Sequence, residues 1–485
     1  MNKKFKQGYI AILYCLLAYI PMVQADIALP DIGDSAGALI SPQQEYRIGQ
    51  GFFWRLQQSV DLVDDPEVTH YLTELGQHLV SYSDAPALPF RFFVVPDPRI
   101  NAFAAPGGFI GVNSGLFLAS QQEDELASVL AHEVAHVTQR HILRSIEKQQ
   151  QLSVPSMMAL VGAMLLGVAD PQAGMAALTV VQAGGLQAQI NHTRAHEAEA
   201  DNIGMLNLVR AGFEAQAMPL FFERMQARSR FYSGQSIPEF LRTHPVTSSR
   251  IAEARGRAVR YPRVKSVRDP TNFYLIREKL RVALSYNLTE LKAYYHHAIE
   301  KKADKEDMVL QYGRGLALLK AGEYHPARQV MTALTERYPH RLAFQLALAD
   351  IAQAAGKRAE AFAIYQANAP LYPTNYALNI GFAKILMQME QAKQAEQILL
   401  TQLQAGYQTT LVYQLLAKSQ DIIGNESEAH RWLAEYYYHA GQLDAAMTQL
   451  TLSIAAAGDD RYQLAMLEAR QEQVKAAQSA INANE

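Results

Sequence analysis

Alanine recurs every 34 residues through the C-terminal half of this chain, at Ala293, Ala327, Ala361, Ala395 and Ala429. Pro339 and Pro373 keep the same interval. Gly322, Gly356 and Gly424 fall on it too, with Glu390 in the gap. Few folds tolerate such a period. Small residues let helices cross closely, and glycine closes a helix in a left-handed turn. A repeat of this length with proline at its end has tetratricopeptide character: two antiparallel helices per unit. Each pair buries its apolar side only against its neighbours, so the array is expected to form one curved solenoid whose concave face receives a peptide or partner protein. Ala446 follows Ala429 by half a period, which predicts last helices stacked out of phase. From about residue 471 the chain turns polar and Ala-rich, as a capping helix does. The basic, proline-flanked segment from Tyr261 to Pro270 marks the boundary, giving a repeat domain over 266–485 and a first domain over 26–265.

The first domain carries His132-Glu133-Val134-Ala135-His136, an HExxH motif. Residues four apart share one face of a helix, so both imidazoles reach one metal ion, with Glu133 beside them to polarise a water. The flanks read as helix. Ser120 with Glu123 resembles a capping box, and Leu126, Val129, Leu130, Val134 and Val137 keep helical spacing. The reaction class this predicts is metal-assisted hydrolysis, with zinc held by two histidines and a third ligand. The longer metzincin pattern needs Gly at 139 and His at 142, where this chain has Gln139 and Ile142. His141 is displaced by one residue and is expected to face elsewhere. The third ligand therefore comes from further along.

The segment Arg194 to Asp201 offers three acids and a histidine. Glu197 and Asp201 share a helix face, which favours Glu197 as ligand and Asp201 as acceptor for the far nitrogen of a ligand histidine. Glu199 is expected to be solvated and His196 to lie on the helix surface. Further on, Thr243-His244-Pro245 places a histidine on a restrained loop. It can serve an oxyanion, fill the open metal position, or simply pack. Upstream, Asn101 to Val112 reads as two short strands around Pro106-Gly107-Gly108. Either it packs the core as an ordinary hairpin, or its edge pairs with an extended peptide.

Only 19% of residues are charged, 49% are hydrophobic, and the net charge is −3, which exclude a disordered chain and argue against nucleic-acid binding. Residues 1–25 hold Lys3, Lys4 and Lys6, an apolar core, and Val23-Gln24-Ala25 before Asp26, the features of a cleaved export signal. Cys15, the single cysteine, lies within it, so the mature chain has neither disulfides nor thiolate ligands. Residues 152–193 are apolar, with Asp170 the one formal charge. They are expected to form a buried helical hairpin, or an exposed element in peripheral contact with membrane or an unfolded client.

Asn101 to Gly111, His132-Glu133-xx-His136, Glu197-xxx-Asp201 and Thr243-His244-Pro245 with Arg250 together resemble the gluzincin family of HtpX and the CAAX prenyl proteases. The likeness covers about residues 40–260. It implies an α+β zincin domain, mostly helical with a small sheet, ahead of the all-α tetratricopeptide solenoid. It implies Zn2+ on His132, His136 and Glu197, with Glu133 as general base. Asp201 supports the site or donates a proton, and His244 and Arg250 lie at the cleft. With the signal peptide and repeats, the whole is similar to members working in the periplasm of Gram-negative bacteria. That likeness implies a zinc metalloendopeptidase that also acts as a chaperone. Its clients would be unfolded or misassembled outer-membrane proteins, and the β-barrel assembly machinery would dock on the repeats. The alternative is an assembly scaffold in which proteolysis is latent or minor.

Overall fold

A computed structural model describes residues 40–147, 186–231, 239–263, 269–302 and 307–482. The expected export signal over 1–25 and the apolar stretch as far as Gly185 lie outside them. From Pro42 on, the chain clusters as one unit.

Helix α1 (Pro42–Ser59) is followed by α2 (Pro66–Ser81). Asp65 starts α2 by accepting the N–H groups of Glu67 and Val68 at 2.9 and 3.1 Å, with Pro66 in the first turn where no donor is needed. Val68, Tyr71, Leu72, Leu75 and Leu79 are buried along one stripe, as their spacing predicts. Strands β1 (Arg91–Val95), β2 (Ala102–Ala105) and β3 (Phe109–Asn113) form a sheet of order β1-β3-β2. β3 pairs parallel with β1 and antiparallel with β2, so the expected hairpin forms and β2 is an edge. Its turn admits no side chain at Gly108, where φ is 89° and a Cβ would lie 1.9 Å from the Pro89 carbonyl oxygen.

Helices α3 (Ser114–Ala119) and α4 (Glu123–Thr138) follow. The capping box does not form. Ser120 closes α3 by donating to the Leu116 carbonyl at 2.8 Å, and Glu123 accepts the Tyr71 hydroxyl at 2.9 Å. α4 runs through the core, buried continuously from Glu125 to Ala135. Around it lie α5 (His141–Glu147), α6 (Leu186–Arg210), α7 (Ala217–Phe231), α8 (Glu239–Thr243) and α9 (Ser248–Ala258).

Helix α10 (Thr271–Leu284) serves two cores. Phe273, Ile276 and Leu280 join the core around α4, whereas Leu275 and Val282 join that of the repeats. The array continues through α11 (Leu288–Lys301), α12 (Met308–Lys320), α13 (Tyr324–Arg337), α14 (Leu342–Ala354), α15 (Arg358–Asn368), α16 (Tyr376–Gln388) and α17 (Ala392–Gln404). It ends with α18 (Thr410–Ile423), α19 (Glu426–His439), α20 (Leu443–Ala456) and α21 (Arg461–Asn482). Ala327, Ala361, Ala395 and Ala429 are buried at the fourth position of their helices. Ala293 is exposed, and Leu291 takes the equivalent place in α11. The turns give the cleaner period. Gly322, Gly356, Glu390, Gly424 and Gly458 all have positive φ, at 77°, 76°, 62°, 85° and 62°. Gly458 extends the series, so α20 and α21 stay in register rather than shifting phase.

The repeats rest on the first domain at several points. The Arg91 guanidinium donates to the Gln408 carbonyl at 2.8 Å, and His70 Nδ1 lies 2.7 Å from the Tyr407 hydroxyl. Gly441 lies against Trp54, where a Cβ would come within 2.5 Å of the Trp54 side chain. No described helix is long and apolar enough to cross a membrane.

Glu390 occupies a position that disfavours any side chain, by about 1–2 kcal/mol. Glu390→Gly is expected to raise the urea midpoint, a net gain of about 0.5–1 kcal/mol after glycine's unfolded-state entropy is counted. Gly356→Ala is expected to lower it by about 1 kcal/mol.

Candidate metal centre

Two helices build the centre. His132, Glu133 and His136 project from α4, and Glu197 and Asp201 from α6. Gly204 sets their approach, because a Cβ there would lie 3.0 Å from Ala131 O and from His132 Cα. Glu197, Asp201 and Gly204 share one helical stripe, so the residue that permits the crossing also aims both carboxylates at His132. The segment between α8 and α9 brings in His244, anchored by its backbone N–H to the Phe240 carbonyl at 2.7 Å. Thr243 donates to Asn101 Oδ1 at 3.4 Å, tying that segment to the start of the edge strand.

His132 Nε2 lies 3.0 Å from His136 Nε2 and 3.3 Å from His244 Nδ1. Glu197 Oε1 lies 3.0 Å from His244 Nδ1 and 3.4 Å from His136 Nε2, and Oε2 lies 3.5 Å from His132 Nε2. These four side chains form a candidate metal-holding group. A tetrahedral cation with donors at about 2.0–2.2 Å sets those donors about 3.3–3.5 Å apart, close to the separations seen. His132 Nδ1 is 3.0 Å from Asp201 Oδ1. An ionised carboxylate only accepts, so Nδ1 carries hydrogen and the Nε2 lone pair is left for a cation. Arg250 donates to both Asp201 oxygens at 2.8 Å and reaches Glu197 Oε2 at 2.7 Å. Glu197 and Asp201 are both buried against one buried guanidinium, so the cluster retains acidic charge that a divalent cation would offset.

The ionisation of these side chains shows the same demand. Burial alone would favour neutral His132, but Asp201 and Glu197 outweigh it and hold the ring up at about 10. His136 is pushed down to about 4 by burial and by the neighbouring imidazoles, against the pull of Glu197. Burial opposes the charge on Glu197, yet His244, His132 and His136 hold its carboxyl well below the usual range. Burial likewise opposes charge on Asp201, and His132 and Arg250 keep it low.

All the site residues expected from sequence meet here: His132, Glu133, His136, Glu197, Asp201, His244 and Arg250. Three neighbours depart from expectation. His141 does not face elsewhere, since its Nδ1 lies 2.8 Å from His136 Nδ1. His196 is buried, its ring stacked on His141 at 4.3 Å. Glu199 is half-buried and meets His141 Nε2 at 3.2 Å and Arg144 at 3.0 Å. On a continuous helix a residue five beyond His136 would point about 140° away. Arg140, at φ 51°, breaks that continuity, and arginine is no sequence signal for a left-handed turn.

The pattern of Peptidase family M48 matches residues 66–258, and a tetratricopeptide repeat pattern matches 352–419. A beta-barrel assembly-enhancing protease of Escherichia coli strain K12 is 34% identical over 479 residues, 98% of each chain. The chain belongs to the beta-barrel assembly-enhancing protease family. A putative member from Vibrio cholerae is 35% identical over 422 residues, covering 86% of this chain and 87% of the relative. More distantly, the mitochondrial metalloendopeptidase OMA1 of Bos taurus is 28% identical over 208 residues, 42% of this chain and 38% of its own. That last likeness is confined to less than half of each protein. As a member of the beta-barrel assembly-enhancing protease family, the chain is a metallopeptidase, and the four convergent donors suit the metal this implies.

A metal held at His132 Nε2 would compete with a proton there. Because that ring is held up at about 10, each metal bound near neutrality is expected to displace about one proton. The apparent affinity should then rise about tenfold per pH unit between about pH 7 and 9. Calorimetry in two buffers of different ionisation enthalpy measures the released proton directly.

Proposed function

We propose that this chain is a zinc endopeptidase of the Gram-negative periplasm that acts on misassembled outer-membrane β-barrel proteins. In this reading a signal over 1–25 is removed, residues 26–265 form the protease and 266–485 the docking array. The observation that carries the proposal is the convergence of His132 Nε2, His136 Nε2, His244 Nδ1 and a Glu197 oxygen on one point. Nitrogen and carboxylate donors in a tetrahedral arrangement suit zinc. Bound there, zinc would supply Lewis-acid polarisation to a scissile carbonyl and an attacking water. Glu133 is buried, and its Oε1 lies 3.4 Å from His244 Nε2 without a hydrogen bond to it, so a lone pair is free to take the water's proton. Glu133 then hands that proton to the leaving amine. The edge strand β2, tied to the His244 segment through Asn101, offers its backbone to an extended substrate. The names of the relatives support outer-membrane β-barrels as clients, and the repeats support docking to the assembly machinery.

His244 occupies what would otherwise be the open position, which favours a latent resting enzyme. The same contact supports a second reading, an assembly scaffold whose proteolysis is normally blocked. Expression of Glu133→Gln in a deletion strain separates the two. Full rescue of barrier function favours the scaffold, and failure favours the protease.

Glu133→Gln is expected to keep stoichiometric metal while kcat/KM for a peptide falls by about 10²–10⁴. Full proteolysis by that variant contradicts the mechanism. His244→Ala is expected to raise basal and self-directed cleavage with an unchanged thermal midpoint, and an unchanged activity profile removes the latch.

A further inference from the structure

We propose that His141, held by Glu199, is a positioning residue that fixes the His136 ring in the tautomer able to bind a cation. This rests on the reading that His132, His136 and Glu197 hold the metal.

The chain of contacts leaves one arrangement of hydrogens. Glu199 Oε2 receives Arg144 Nη1 at 3.0 Å and faces His141 Nε2 at 3.2 Å. A carboxylate paired with arginine only accepts, so His141 Nε2 carries the hydrogen. The neutral ring then presents a lone pair at Nδ1, which lies 2.8 Å from His136 Nδ1. His136 must donate from that atom, and its Nε2 is left bare, facing His132 Nε2 and Glu197. Asp201 does for His132 what Glu199 does for His136 at one remove. Helix α6 thus supplies both controls. Asp201 lies on the stripe that bears Glu197, and Glu199 on the opposite side of the helix, on the stripe that bears His196.

The local fold is built to hold this residue. Arg140, at φ 51°, ends α4 and starts α5 in a new direction, which returns His141 to the underside of His136. Glu45 of α1 accepts from Arg140 Nε at 3.1 Å and from Nη2 at 3.0 Å, securing the bend. His196 lies flat against the His141 ring, with an interplanar angle of 9°, and fixes its plane. The ring of His141 is buried, so the hydrogen bond to His136 has little competition from water.

Packing alone would be served equally well by any flat ring, and this sets the test. Full-length metal-free protein is titrated with Zn2+ against a competing chelator, for wild type, His141→Phe, His141→Gln and Glu199→Gln. Phenylalanine keeps the stack on His196 and cannot accept a hydrogen bond. Glutamine presents an amide oxygen to His136 and an amide N–H to Glu199. His141→Phe is expected to bind Zn2+ about 10–100-fold more weakly, the range for loss of a ligand's supporting partner, and His141→Gln to recover most of that loss. Wild-type affinity in His141→Phe overturns the proposal, as does equal loss in both His141 variants. If His141→Phe does not fold, the half-exposed Glu199→Gln decides: a severalfold loss supports the proposal and unchanged affinity overturns it. Wild-type protein that binds no metal removes the ligand assignment and this inference together, whereas tight wild-type binding with an indifferent His141→Phe removes only the inference.

Discussion

Imidazole lone pairs and a carboxylate oxygen cannot be crowded within 3.0–3.5 Å of one another, away from water, without positive charge among them. That electrostatic demand orders the first domain. It explains why α4 passes through the core where helices otherwise avoid burying acids. It explains why Gly204 lacks a side chain and why a guanidinium is spent inside the protein on Asp201 and Glu197. Arg250 offsets part of the charge and sets the geometry of the rest. Its fork orients Asp201, which orients His132. A buried carboxylate freed from such a pair costs about 3–5 kcal/mol, so the network persists whether or not a cation is bound.

The repeats are not a separate appendage on this centre. Helix α10 gives one side to each core, and α1 links the two halves at its opposite ends. Near its start, Glu45 holds Arg140 just beyond the HExxH helix. Near its end, Trp54 lies against Gly441, and Gln58 donates to the Gly441 carbonyl at 3.1 Å. A displacement of the last repeats would therefore press on a helix that also borders the bend below His136. Packed interiors transmit such displacements because they contain few voids to absorb them.

Much of this was legible in sequence. Spacing by four or by 34 residues is periodic and reports which face a side chain occupies. That is why the ligand pair, the Glu197–Asp201 stripe and the repeat array could be read directly. Glu390 stood out as a gap in a glycine series, and its positive φ shows that the backbone kept the period where the residue type did not. What escaped detection depended on a break in periodicity. Helical geometry continued through Arg140 points His141 away from His136, but Arg140 turns left-handed with no glycine to announce it. Glu199 does point away from the Glu197–Asp201 face, but it and His196 are covered there because the bend at Arg140 lays His141 against them. Ser120 satisfied a capping pattern yet closes the helix before it, because a hydroxyl can end one helix as readily as it starts another. The exposed Ala293 shows that a recurring small residue is weaker evidence of register than the turn glycines.

The account's central claim is that three imidazoles and one carboxylate surround a single divalent ion. X-ray absorption at the metal edge of the purified full-length chain tests it most directly. The expected spectrum has four light-atom donors at about 2.0–2.2 Å, with multiple scattering from three imidazole rings. A chain that carries no metal after purification and reconstitution, or a spectrum of six oxygen donors without imidazole scattering, would contradict it.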